Sequence, residues 1–122
     1  AVGTTVGHDS HNIGIVGNSK EDMLIAAQTL RDMNGGMVVV KNGEVIWKLE
    51  LPIAGLMVDE DPRVVSEKLS HQKDALKKIG CDKDIFMTIA FIQLPVIPEI
   101  KITDRGIVDV SKQEFVSMFV DN

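Results

Sequence analysis

Gly36-Met37-Val38-Val39-Val40-Lys41-Asn42-Gly43-Glu44-Val45-Ile46-Trp47-Lys48-Leu49-Glu50-Leu51 is the segment that decides the fold. Met37–Val40 is a short apolar run dominated by β-branched residues, and after Val45-Ile46 apolar and polar side chains alternate from Trp47 to Leu51. Between them stands Asn42-Gly43, the preferred pair in two-residue hairpin loops because both central positions take positive φ. The pattern predicts a β-hairpin. Val45, Trp47, Leu49 and Leu51 fall on one face, so a slip of one residue would turn the whole set outward and the register is well specified.

Upstream of the hairpin, Val2–Val6 and Asn12–Val16 read as two short strands joined by the loop Gly7-His8-Asp9-Ser10-His11. Asn18 or Ser19 then caps a helix with Glu21 and Asp22 in its first turn, where negative charge suits the helix dipole. Met23, Ala26, Ala27, Leu30 and Met33 make its apolar stripe, and Asn34-Gly35-Gly36 stops it. Downstream, Pro52–Met57 is an apolar connection. Asp61 caps a second helix with Pro62 at its first position, a buried face of Val65, Leu69, Gln72, Leu76 and Ile79, and an end at Gly80. Cys81–Asp84 is a polar turn. Ile85–Leu94 has almost no polar interruption and reads as a central strand buried on both faces. Pro95 and Pro98 end it, Ile100–Ile102 reads as an edge strand, Thr103–Gly106 turns, Ile107–Val110 is short, and Phe115–Val120 closes the chain. The expectation is a single α+β domain with a mixed β-sheet and two main helices packed on it.

Composition narrows the function classes. The 122 residues carry 18 acidic against 13 basic side chains, a formal charge of −5, with one Trp, four Phe and no Tyr. That fits one soluble domain and is too short for a barrel of ~250 residues. Nucleic-acid binding is disfavoured, because it needs a clustered basic face and stacking aromatics. The longest apolar run, Met87–Ile97, is broken by Gln93 and Pro95 and falls short of the ~20 residues of a spanning helix, which argues against a membrane role. A single cysteine, Cys81, has no internal disulfide partner and suits a reducing cytoplasm. From Ala1 to Ser19 the only ionised residue is Asp9, whereas Lys20–Lys78 holds nine bases and ten acids. A segment so poor in charge is expected to pack against something, and a start at Ala1 without Met reads as a cut piece. The apolar loops Leu51–Met57 and Leu94–Pro98 suggest cover by an oligomer or a missing domain, with folding over the domain's own helices as the alternative.

His8-Asp9-Ser10-His11-Asn12 is the densest group of functional side chains. Its spacing admits three readings: a stabilised strand-to-strand turn, a loop for substrate contact or proton transfer, or a metal-binding turn with Asp9 as third ligand or orienting acceptor. Val16-Gly17-Asn18-Ser19-Lys20 lacks the Gly-Lys-Ser/Thr ending of a phosphate loop and reads as an ordinary capped helix start. His71 reads as solvated, Cys81 as a lone thiol near lysines, and the methionines as core filling.

Thr4–Asn12, Gly36–Val40, Leu51–Met57, and Phe86-Met87-Thr88 through Leu94–Pro98 with Thr103–Gly106 together resemble the C-terminal domain of bacterial and archaeal adenine deaminases, over essentially the whole chain and in the same order. Trp47 and Gly14 are departures within strands that leave these motifs intact. The resemblance implies a metal-dependent amidohydrolase that hydrolyses adenine to hypoxanthine and ammonia. In that family a divalent metal, manganese or iron, sits in an upstream (β/α)8 barrel and activates the water that attacks C6 of the purine. Residues 1–122 would then be the C-terminal domain, without metal of their own and inactive alone. The resemblance carries over His8, Asp9 and His11 as contributors to catalysis and Asn12 as a substrate contact: either imidazole would relay a proton to the leaving amine or bond the purine, with Asp9 orienting the ring. Two other functions stay open, a structural module within a homo-oligomer and a free-standing domain that binds a small ligand through the His8–His11 loop.

Overall fold

The valine run of the hairpin is β3 (Gly36–Lys41), an inner strand of a four-stranded antiparallel sheet in the computed structural model, which describes residues 1–119. Its partners are β1 (Val2–Thr4) on one side and β4 (Glu44–Glu50) on the other, with β2 (Gly14–Val16) beyond β1, giving the order β2-β1-β3-β4. Val38 and Val40 pack with Ala26, Leu30 and Met33 of the first helix and its cap, α1 (Lys20–Asp32). Val39 points the other way and joins Trp47, Leu49, Leu76, Phe86 and Ile89. Those last residues come from β4, α2 (Pro62–Lys78) and α3 (Ile85–Ile92), so the sheet has helices on both faces. A second sheet, β5 (Ile100–Thr103), β6 (Gly106–Asp109) and β7 (Glu114–Val116), is also antiparallel and follows α3.

Local signals at helix and turn boundaries hold. Ser19 caps α1 by accepting from the Asp22 N–H at 3.2 Å, and Asp61 caps α2 by accepting from the Arg63 N–H at 2.8 Å with Pro62 next to it. Asn42 and Gly43 take φ of 52° and 82°, as the hairpin turn requires. The Trp47 indole N–H donates to the Lys68 carbonyl at 2.9 Å and so ties β4 to α2. Ile100–Thr103 is an edge strand as expected. Of the expected closing segment Phe115–Val120, the start lies in β7 and Val120 lies outside the described residues.

The α+β class stands, with four differences of detail. Both sheets are antiparallel throughout rather than mixed. Ile85–Leu94 is not a strand: it forms α3, started by the Asp84 carboxylate accepting from the Met87 N–H at 3.1 Å. Phe86, Ile89, Ala90 and Gln93 face inward at helical spacing, while Met87, Phe91 and Ile92 are exposed. Because both faces are apolar, hydropathy carries no period, and the strand buried on both sides is β3 instead. Thirdly, a bulge shifts the hairpin register, so that Val39 pairs with Trp47 but Val40 with Val45. Ile46 is the extra residue, which places Val45 opposite Val40 on the α1 side rather than on the face of Trp47. The buried face of α2 is also shorter than its stripe: Ala75 and Leu76 are buried, whereas Leu69 is exposed.

Asp22 does more than complement a dipole. It is buried, and its carboxylate accepts from the Asn42 N–H at 3.1 Å and the Gly43 N–H at 2.7 Å, fastening α1 to the hairpin turn. Hydrogen bonds to a charged acceptor contribute about 1.5–3 kcal/mol, so Asp22→Ala is expected to destabilise the chain by about that amount, and Asp22→Asn, which keeps one acceptor oxygen, by roughly half. Urea unfolding followed by Trp47 fluorescence measures this, and an unchanged midpoint in Asp22→Ala would contradict the assignment.

Candidate functional site

The loop between β1 and β2 begins where Thr4 ends its strand; the Thr4 hydroxyl oxygen accepts from the Val6 N–H at 2.9 Å and turns the chain outward. The Ser10 N–H then donates to the His8 carbonyl at 2.8 Å, closing a tight turn around Asp9. Asp9 and His11 take φ of 63° and 51°, the left-handed region that short polar residues enter more readily than apolar ones. A polar sequence is therefore what this backbone path needs, whatever chemistry the side chains perform.

The base of the loop is held by Gln93, at the C-terminus of α3. With its amide oriented to satisfy both ends, its NH2 donates to the Asn12 carbonyl at 3.3 Å and its oxygen accepts from the Gly14 N–H at 3.3 Å. Only 8% of Gln93 is exposed. Gly7 and Gly14 flank this amide so closely that a Cβ at either position would collide with it. The glycines thus serve close approach, and Gln93 was missed by sequence reasoning that saw only an interruption in an apolar run. The available signal was one amide in that run.

His8 leans on α3, its ring 4.8 Å from the Phe91 ring and tilted by 49°. It also stands at the rim of a 270 Å³ cavity between the sheet, α2 and α3, lined by Thr4, Gln72, Asp84, Phe86 and Met87 among others. An imidazole, an amide and a carboxylate over an apolar wall could hold a small, flat, polar ligand. Asp9, His11 and Asn12 are exposed and do not line this cavity. Among the described residues no hydrogen bond joins the Asp9 carboxylate to either imidazole, and no group of three or more His, Cys, Asp or Glu is placed to hold a metal ion. The structure therefore brings His8 to a cavity and leaves the other three candidates side by side on the loop surface.

The remaining candidates are structural here. Ser19 spends its hydroxyl on the cap and on Glu21, to which it donates at 2.9 Å; the Glu21 backbone N–H and this hydroxyl hold the Glu21 carboxyl below its ordinary value. His71 is exposed on α2, and the half-buried Cys81 thiol donates to the Lys83 carbonyl at 3.6 Å. A cavity of 570 Å³ near Asp22, Lys41 and Lys78 contains none of the four loop residues. Leu51–Met57 is drawn onto the sheet by Thr5, whose hydroxyl donates to the Gly55 carbonyl at 2.6 Å and accepts from the Gly36 N–H at 2.8 Å, yet Ile53 and Met57 stay exposed. Among the described residues no helix is long and apolar enough to cross a membrane.

Comparison with known proteins gives one consistent family. The model of the family described as "Adenine deaminase C-terminal domain" matches residues 1–114. Proteins named adenine deaminase are similar along nearly the whole chain: one from Thermosipho africanus is 52% identical over 99% of it, one from Kosmotoga olearia 49% over 98%, and one from Brucella abortus 50% over 95%. The chain spans about a fifth of the length of these relatives, 20–21% in each case.

Replacing Gln93 by Leu removes both amide bonds while keeping a side chain of similar size beside Ile89 and Gly14. Leaving the Gly14 N–H and the Asn12 carbonyl without a partner is expected to cost about 1–3 kcal/mol and to speed exchange of the Gly14 amide hydrogen by an order of magnitude or more. Hydrogen exchange resolved at Gly14 checks this, and wild-type protection in Gln93→Leu would show that the loop is held by something else.

Proposed function

We propose, from the premise that this chain belongs to the adenine deaminase C-terminal domain family, that residues 1–122 are one domain of a longer enzyme that hydrolyses adenine to hypoxanthine and ammonia. In this reading the upstream part is the barrel and holds the divalent metal, manganese or iron. The described residues of this chain offer no ligand group for such an ion. What the domain contributes is the His8–Asn12 loop, presented to the mouth of the barrel's active site.

The observation that supports this most is the Gln93 clamp. A loop whose backbone is pinned from behind by a buried amide, with its two imidazoles and a carboxylate left exposed, is built to present those groups at fixed positions rather than to use them within its own fold. His8, steadied by Phe91, would hydrogen-bond the purine or give a proton from a ring nitrogen to the leaving amine. His11 is the second candidate for that transfer, Asp9 would orient an imidazole once substrate closes the loop, and Asn12 would contact the ring edge through its amide. A lone Cys81 suits the reducing cytoplasm in which a purine-salvage enzyme of this kind would work.

A general acid contributes about 10²–10⁴-fold to such a reaction, so at least one of His8→Ala and His11→Ala in the complete enzyme is expected to lose about 10²-fold or more in kcat/KM without a change in sedimentation. Unchanged kcat/KM in both variants would sink the catalytic reading, and an altered assembly state would favour a structural role in a homo-oligomer. The isolated 122 residues, assayed with added manganese beside the full-length parent, are expected to show no adenine hydrolysis. Robust turnover by the fragment would overturn the proposal.

A further inference from the structure

The outer side of α3 continues into a second apolar surface that the domain does not cover. Met87 is 49% exposed, Phe91 43%, Ile92 40% and Val96 66%. Met87, Phe91 and Ile92, with Asp84, Thr88 and Ile97, border a groove of 510 Å³ between α3 and β5, and Lys101 lies in its wall. Contiguous apolar patches of this kind mark interaction surfaces, since apolar area is costly to leave in water.

Lys101 gives the groove its chemistry. It is only 8% exposed, and its ammonium donates to the carbonyls of Pro98 at 3.0 Å and Ile100 at 3.3 Å. An ammonium has three donors, so one is left over; Asp84 lines the same groove, but its carboxylate accepts from the Met87 N–H, and among the described residues no carboxylate stands within ion-pair distance of Lys101. A buried lysine without a counter-charge is unfavourable and is relieved by a carboxylate brought up to it.

We infer that the α3–β5 groove is the docking surface for the remainder of the longer chain, and that this remainder places a carboxylate on Lys101. The inference rests on the reading of the chain as one domain of a longer protein. Two observations choose this occupant. The matched relatives are about five times longer than this chain, so a large surface is there to be met. Phe91 belongs both to the groove and to the contact that steadies His8, so whatever covers the groove sits beside the candidate loop. Docking through this face would put the His8–Asn12 loop at the junction between the two parts.

The test uses the complete protein with Met87→Cys, Ile92→Cys or Ile97→Cys introduced one at a time, and Ser66→Cys and His71→Cys on the exposed side of α2 as references. Maleimide labelling is read site by site by mass spectrometry, so native thiols do not interfere. Cysteines in the groove are expected to react at least ~10-fold more slowly than the references, since labelling must wait for local opening. Equal rates would overturn the inference, and so would protection that vanishes on dilution to single subunits, because the cover would then be a second copy. Lys101→Met is expected to speed labelling at Ile92→Cys while Lys101→Arg restores protection; if Lys101→Met changes nothing, the carboxylate is not there. Slow labelling beside full activity in the histidine variants would keep the docking surface and remove the catalytic reading, and fast labelling beside impaired variants would do the reverse.

Discussion

Three consecutive valines in β3 have to be dry on both sides. Val38, Val39 and Val40 alternate across the sheet and none is exposed to solvent, so each face needs a helical layer. α1 supplies one layer through Ala26 and Leu30, and α2 with α3 supplies the other through Leu76, Phe86 and Ile89. An antiparallel sheet normally leaves one face wet. Here the double cover is what forces the most apolar segment of the chain to become a helix, because α3 must reach across β1 and β2 where α2 does not.

That placement of α3 decides where the loop can be. Its inward face carries Ile89 into the core and, one turn on, Gln93 to the backbone of Asn12 and Gly14. Its outer face carries Phe91 to His8 and leaves Met87 and Ile92 in solvent. A single eight-residue helix therefore closes the core, pins the base of the polar loop and exposes an apolar surface beside it. The three roles cannot be separated by moving the helix, since all three depend on its register against β1.

Features governed by neighbours in sequence were readable from residues alone. The Asn42-Gly43 turn, the caps at Ser19 and Asp61 and the stripe of α1 each depend on a few adjacent positions. The features that were not readable come from partners far apart in the chain or from patterns without contrast. Asp22 finds the hairpin turn across 21 residues, and nothing near it in sequence announces an acceptor for two backbone amides. α3 has apolar residues on both faces, which removes the period that distinguishes a helix from a buried strand. The bulge at Ile46 turns Val45 to the α1 side, and alternation in β4 is regular only from Trp47 onward. For the candidate loop, the residue types were plain in Gly7–Asn12, but their spatial relation was not: of the four candidates His8 alone lines the cavity between the sheet, α2 and α3, and the amide that holds the loop comes from the end of α3, far along the chain.

The contrast between backbone and side chains in that loop bears on how such a domain could serve a reaction centred elsewhere. Asp9 and His11 sit in left-handed conformations, which cost free energy unless the surroundings enforce them. The enforcement comes from behind, through Gln93 and the close approach of Gly7 and Gly14, and none of it uses the imidazoles or the carboxylate. If the loop were only a connection between two strands, a tighter turn would join β1 to β2 at less cost, because antiparallel neighbours can be linked by two residues. A longer path, held rigid at its base and free at its tip, makes physical sense when the tip meets a surface that supplies the missing partners. His8, stacked on Phe91 at the rim of a cavity and, among the described residues, joined to no carboxylate, would suit a place beside such a surface.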